Sequence, residues 1–311
     1  MNFQENVLLK NYSNYKIGGP AKYFCGIGSV EELKEALKLA LEKKISKIFI
    51  LGKGTNILIN DKGFDGLIIY NQIGGINILD ESIEVGSGVL IKDLLNFCVE
   101  NSLTGFEWAG GLPGTVGGAV RGNAGAFKGE IKDNILQVRS LDLKTLEEKI
   151  RTGDVCSFGY RNSIFKSGIA ENEFIASVNL DLVKGDREEI KEKIQQKIDY
   201  RINRHPMNYP SIGSTFKNIP LDSLSPELQK EFAFIVKTDP FPVVPVTKLL
   251  ALSDLKGKRV GGAMISDKHP NFIVNVDNAS SRDVKTLIDI ARQAVKDKYG
   301  IILEEEIMYL N

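Results

Sequence analysis

The sequence predicts an α+β chain of two or three domains that carries a binding loop of nearly bare backbone. Residues 29 to 70 alternate a helical pattern with short apolar runs of strand type. Glycine accumulates between such elements, at 52 to 54 and again in Gly110-Gly111-Leu112-Pro113-Gly114-Thr115-Val116-Gly117-Gly118-Ala119. From Arg201 the chain turns Pro-rich, with Pro206, Pro210, Pro220, Pro240, Pro242 and Pro245, as at the entry to a separate domain. At 311 residues the chain exceeds one ordinary core, since domains run to roughly 100 to 200 residues.

Each element has a local reason. Ser29 with Glu32 three places on forms a capping box, and Val30, Leu33, Leu37, Ala40 and Leu41 make the apolar stripe of a helix over 29–44. Strands follow at 48–51, 57–59 and 67–70, separated by the turn Gly52-Lys53-Gly54-Thr55-Asn56 and a polar turn at 61–66. Gly52-Lys53-Gly54 opens like a dinucleotide fingerprint, but Ile57 stands where the third glycine belongs and a strand comes next, so a Rossmann unit is disfavoured. No Walker A spacing occurs after Gly52-Lys53 or Gly257-Lys258. A strand at 83–86 and a helix at 90–99 lead into the glycine-rich segment, which reads as a long loop. Strands at 136–143 and 174–182 precede a charged helix, 186–201, whose Ile190, Ile194 and Ile198 form one stripe and which ends a domain. A last helix begins near Ser280, carries Val284, Leu287, Ile288, Ala291 and Val295, and stops at Gly300; a strand at 301–303 and Glu304-Glu305-Glu306 follow.

Composition removes several functions. Forty basic residues balance forty acidic ones, so the basic stripe of a nucleic-acid binder is not expected. No apolar run reaches the length of a membrane span, and the first residues lack the basic and apolar regions of a signal peptide, so a cytoplasmic protein without membrane partners is expected. Cys25, Cys98 and Cys156 are odd in number and form no CxxC pair, and His205 and His269 are the only histidines, so neither a disulfide framework nor a metal site is expected.

Four segments offer chemistry. The glycine run with Asn123-Ala124-Gly125-Ala126 exposes backbone N–H groups that suit phosphate, unless it is only a cluster of turns. Gly52 to Asn56 is a second such loop, and two loops suit a dinucleotide. Phe158-Gly159-Tyr160-Arg161-Asn162-Ser163 places a guanidinium that grips carboxylates bidentately, the plainer reading being a surface ion pair. Gly213-Ser214-Thr215-Phe216-Lys217-Asn218 concentrates hydroxyls, an ammonium and an amide around a glycine. Ser214 lacks the G-x-S-x-G elbow of a triad nucleophile, which leaves a proton donor or a plain turn hydroxyl. Alternation turns Glu304 and Glu306 to one face; burial there pushes a carboxyl toward protonation, and an exposed acidic edge is the alternative.

Taken in order, Ile17-Gly18-Gly19-Pro20-Ala21, Leu51 to Asn56, Gly111 to Ala119, Asn123 to Ala126, Tyr160-Arg161-Asn162-Ser163, Gly213 to Asn218 and Leu303-Glu304-Glu305-Glu306-Ile307 resemble the UDP-N-acetylenolpyruvoylglucosamine reductase (MurB) family over nearly the whole chain. The short Phe158-x-Tyr160-Arg161-x-Ser163 motif is similar to that of its shorter, type II subtype. The resemblance implies a two-part FAD-binding module of the vanillyl-alcohol oxidase (PCMH) type, residues 1–73 and 74–200. A smaller α+β substrate domain, 201–303, follows, and 304–311 return near the active site. It implies noncovalent FAD on Gly52, Lys53, Gly54, Thr55, Asn56, Gly114, Thr115, Val116, Gly117, Gly118, Asn123 and Gly125; no histidine of the first 200 residues and no cysteine of the loops is placed to tether it.

The implied reaction takes hydride from NADPH through FAD to C3 of UDP-N-acetylglucosamine enolpyruvate, giving UDP-N-acetylmuramate for peptidoglycan. By the same resemblance Ser214 protonates C2, Arg161 and Glu306 stabilise the developing charge, and Tyr160, Lys217 and Asn218 contact substrate, Lys217 at the diphosphate. A monomer is expected. Three positions depart from the family pattern: Thr55 for the usual serine, His205-Pro206 for Gln-Pro, and Ile219 between Asn218 and Pro220. The alternatives are another noncovalent FAD oxidase or dehydrogenase of the same fold, and a noncatalytic flavin or nucleotide-sugar binder.

Overall fold

Capping and apolar periodicity set the regular elements of the computed structural model, which describes residues 1–80 and 82–311. The helix Val30–Glu42 begins where Ser29 accepts the Glu32 N–H at 3.1 Å, and the Glu32 carboxylate reaches back to the Gly28 N–H at 2.6 Å. Leu33, Ala36, Leu37 and Ala40 bury its stripe. The last helix, Ser281–Tyr299, carries a reciprocal capping box between Ser280 and Asp283 and ends at Gly300 with φ +70°, the left-handed conformation glycine adopts at least cost.

The chain divides into two compact units, Met1–Val7, Ala21–Lys53 and Asp65–Tyr200 in the first, Leu8–Pro20, Gly54–Phe64 and Arg201–Asn311 in the second. Residues 1–73 therefore contribute to both. Segment 54–64 belongs with the C-terminus because Ile57–Ile59 lies parallel to Met308–Leu310, Leu58 opposite Tyr309. In the first unit, Gln4–Leu8, Pro20–Ile27, Phe64–Asn71 and Ile48–Leu51 lie in that order in one sheet, the last two parallel. An antiparallel sheet orders Glu148–Thr152, Ile135–Asp142, Glu173–Leu180, Ile83–Gly86 and Ile76–Ile78. Its core takes Ile190 and Ile194 from the helix Arg187–Arg204, each buried side chain contributing roughly 1.5–3 kcal/mol. The second unit packs Val284, Leu287, Ile288 and Val295 of the last helix against the sheet Arg259–Val260, Ala263–Ile265 and Ile273–Asn275.

Two expectations are corrected. The glycine-rich segment is not loop throughout: Val116–Arg121 is helical, with Thr115 as its N-cap. The strand expected at 301–303 is absent; Ile301 and Leu303 are buried and Ile302 is exposed, as in a strand, but the ladder forms at Met308–Leu310, where Ile57–Ile59 supplies a partner. Alternation marks a half-buried extended segment, and only a neighbouring strand makes it a ladder.

Candidate active site

In the first unit the two glycine segments meet. Ile48–Leu51 ends at Gly52, where an added Cβ would stand 2.9 Å from Thr115 Oγ1. Thr115 is held in turn, its hydroxyl accepting the Gly118 N–H at 3.3 Å and its backbone bridging Leu90. Gly117 serves packing: a Cβ there would press on Ser87 Cβ at 2.8 Å, and its N–H donates to Ser87 O at 2.8 Å. Gly118 is exposed, and a Cβ on it would meet only Thr115 Oγ1, at 3.4 Å. No packing demand accounts for glycine at that position. With Gly114 at φ +115°, the segment presents the stripped backbone that a phosphate-bearing cofactor approaches closely, so these residues fit a dinucleotide. Val116 is fully buried, and its N–H donates to Val89 O at 2.9 Å.

The loop 52–56 passes between units after Lys53. Gly54 is fixed by its own surroundings, with φ +62° and a Cβ position 2.2 Å from Tyr12 O. Lys53 is exposed and Thr55 half-buried. Asn56 Nδ2 donates to Glu306 O at 3.1 Å and its carbonyl accepts the Met308 N–H at 2.9 Å, so Asn56 anchors the segment that carries Glu306.

Four further expected residues converge in the first unit. Gly159 and Asn162 exchange backbone hydrogen bonds of 3.0 and 3.1 Å, leaving Tyr160 and Arg161 at the tip of a tight turn. Arg161 has φ +55°, a left-handed conformation that costs a side-chain-bearing residue about 1–2 kcal/mol. Its Nη2 donates to Gly125 O at 2.8 Å, and its guanidinium carbon stands 5.3 Å from the centre of the Tyr160 ring. Lys166 Nζ donates to Arg161 O at 2.8 Å, and the buried Asn123 donates to Gly159 O at 2.9 Å. Asn123 is thus a strut beneath the arginine turn.

In the second unit, Ser214 follows Gly213, whose φ of +87° turns the chain into an extended segment. Phe216 bridges Glu305 antiparallel, Glu306 N–H donates to Thr215 O at 2.8 Å, and Lys217 N–H donates to Glu304 O at 2.9 Å. The sequence thereby places the Ser214 segment in register with the acidic triplet. Lys217 Nζ pairs with Glu304 Oε1 at 2.5 Å. Glu305 bonds Arg292 at 2.8 Å and accepts the Tyr309 hydroxyl. Asn218 Oδ1 accepts the Val246 N–H at 3.2 Å. Ile219, the departure from the family pattern, pairs with Val244 in a short ladder. His205 packs on Phe272 and His269 with ring centres 5.0 and 5.1 Å apart. Burial pushes both imidazoles down to about 4, helped for His205 by the Arg201 and Lys268 charges and for His269 by His205 and Lys237. The cysteines are free and buried, and desolvation pushes the Cys98 thiol up to about 12, away from nucleophilic use.

One residue escaped the sequence reading. The buried Asn271 accepts the Phe216 N–H at 3.0 Å and donates to Phe216 O at 2.8 Å, while its backbone carbonyl accepts the Thr215 N–H at 2.7 Å. Nothing in Lys268-His269-Pro270-Asn271 signals those partners.

The fold and the paired glycine segments define an FAD-binding protein, since residues 21–145 match the model of the FAD binding domain. Residues 205–310 match the C-terminal domain of UDP-N-acetylenolpyruvoylglucosamine reductase. The chain is 36% identical over 307 residues to the reductase of that name from Prochlorococcus marinus (strain NATL2A), covering 98% of this chain and 96% of the relative. It is 37% identical to the one from Borreliella burgdorferi, covering 97% and 92% of the two chains. The crystal structure of the same reductase (MurB) from Thermus caldophilus superposes with a TM-score of 0.77 at 29% identity, covering 100% of both. The chain belongs to the UDP-N-acetylenolpyruvoylglucosamine reductase family. The α+β expectation, with its FAD-binding module and C-terminal unit, holds.

Proposed function

We propose that this protein reduces UDP-N-acetylglucosamine enolpyruvate to UDP-N-acetylmuramate with NADPH and FAD, a step of peptidoglycan precursor synthesis. FAD, when bound, would supply the hydride chemistry that links NADPH to C3 of the enolpyruvyl group. Gly52, Lys53, Gly54, Thr55 and Asn56 hold it together with Gly114, Thr115, Val116, Gly117 and Gly118; Asn123 and Gly125 complete the set. The Ser214 hydroxyl gives a proton to C2. Arg161 and Glu306 stabilise the charge that develops on the carboxylate and enolate, where a preorganised group acts most strongly. Tyr160, Lys217 and Asn218 bind the nucleotide sugar, Lys217 at the diphosphate.

The observation that carries this reading is the pairing of the Ser214 segment with that of Glu306 through Thr215 and Phe216. A noncatalytic binder has no need of a hydroxyl and a carboxylate held in one register. The reading includes the division into 1–73, 74–200 and 201–303, a monomer, and a cytoplasmic location; among the described residues no helix is long and apolar enough to cross a membrane. Purified protein is expected to be yellow, to release flavin on denaturation, and to turn over NADPH catalytically only when the enolpyruvyl nucleotide is added. Flavin without substrate-dependent turnover returns the protein to another FAD enzyme, and a preparation that takes up no FAD removes the reading altogether.

A further inference from the structure

Ser214 can deliver a proton to one face of an enolate only if its backbone stays put. The peptide planes that follow it show how that is arranged. The plane joining Ser214 to Thr215 is held by the Thr215 N–H donating to Asn271 O at 2.7 Å. The next plane has Phe216 N–H on Asn271 Oδ1 at 3.0 Å along one edge, and Thr215 O receiving the Glu306 N–H at 2.8 Å along the other. In the third, Phe216 O accepts from Asn271 Nδ2 at 2.8 Å while the Lys217 N–H donates to Glu304 O at 2.9 Å. Asn271 thus grips three consecutive planes, and its side-chain amide copies for Phe216 the two bonds that a neighbouring strand would make. The residue is 3% exposed and Phe216 is 1% exposed, so no water replaces the amide at low cost. Upstream of Ser214 the restraint is looser: Gly213 has φ +87° and no neighbour within 4 Å of a Cβ position.

We infer that Asn271 is a positioning residue for proton delivery: its amide holds one edge of the segment that carries Ser214, whose other edge pairs with the segment that carries Glu306. This rests on the proposed role of Ser214. Asn271 touches no reacting atom; it acts through the serine. A misplacement of the order of 1 Å at such a group costs about 10²-fold in rate.

The test compares the half-reactions of Asn271→Ala, Ser214→Ala and the double variant, each loaded with FAD. Asn271→Ala is expected to leave flavin reduction by NADPH within about twofold of wild type and to slow flavin reoxidation by the enolpyruvyl nucleotide about 10²-fold. In the double variant reoxidation is expected to be no slower than in Ser214→Ala alone, because the serine through which Asn271 acts is gone. Losses that multiply in the double variant, or wild-type reoxidation in Asn271→Ala, overturn the inference and leave the role of Ser214 standing. Wild-type reoxidation in Ser214→Ala overturns that role and this inference with it. Where Asn271→Ala does not fold, Asn271→Asp serves: it keeps the acceptor for Phe216 N–H and loses the donor to Phe216 O, so reoxidation is expected to fall between wild type and Ser214→Ala. A wild-type rate in a folded Asn271→Asp overturns the inference.

Discussion

The contact between Gly52 and Thr115 in the first unit and the Ser214 segment of the second meet one demand, a backbone that stays in place, by opposite means. The first unit removes side chains until backbone packs on backbone or side-chain oxygen, so a Cβ on Gly52 would lie 2.9 Å from Thr115 Oγ1. The second adds bonds to each successive peptide plane from residues 271 and 304–306. A cofactor that never leaves during turnover suits a surface defined by what is missing. The proton donor proposed at Ser214, which has to aim at one carbon, suits a segment defined by what is attached.

That contrast can be broken at several points. The largest effect belongs to Ser214→Ala, expected to slow flavin reoxidation by substrate 10²- to 10⁴-fold with flavin reduction by NADPH nearly intact, in stopped-flow absorbance. Equal loss in both half-reactions removes the serine from its role. Gly54→Ala is expected to cost more than about 1 kcal/mol in urea unfolding, because φ is +62° and the new methyl meets Tyr12 O at 2.2 Å. Gly118→Ala sharpens the comparison. The position is exposed and its Cβ direction nearly clear, so the helix is expected to gain about 0.5–1 kcal/mol while FAD affinity falls; an unchanged affinity by flavin titration shows that the bare backbone serves nothing there.

The last effect is one of pH. His205 and His269 titrate near 4 in the folded chain against an ordinary 6.5, so between those values the unfolded chain binds more protons. Their contribution is complete above about pH 6.5 and is lost progressively as the pH falls toward 4. Urea midpoints of the wild type are expected to fall across that window, and those of His269→Gln to fall less.

Legibility in the sequence follows the range of the forces. The helices at 30–42 and 281–299 were readable because caps and stripes act within a few residues. The helix 116–121 was hidden because Gly117 and Gly118 lower helix propensity by about 1 kcal/mol each, and the reason for Gly117, contact with Ser87, is tertiary. The terminal strand was misplaced to 301–303 because its partner, 57–59, lies near the other end of the chain. At the candidate site, glycine runs advertise an absent side chain at any distance, whereas Asn271 carries no mark of the Phe216 amide and carbonyl it serves.

Arg161 sits at φ +55° at the tip of its turn, a conformation that Gly or Asn adopts more easily. A library screened only for resistance to heat therefore has a reason to enrich Gly or Asn at 161, and such winners would carry no guanidinium. On the role proposed for Arg161, heat tolerance and turnover are expected to part company at this one codon, and a screen that counts survivors without counting product would select inactive protein there.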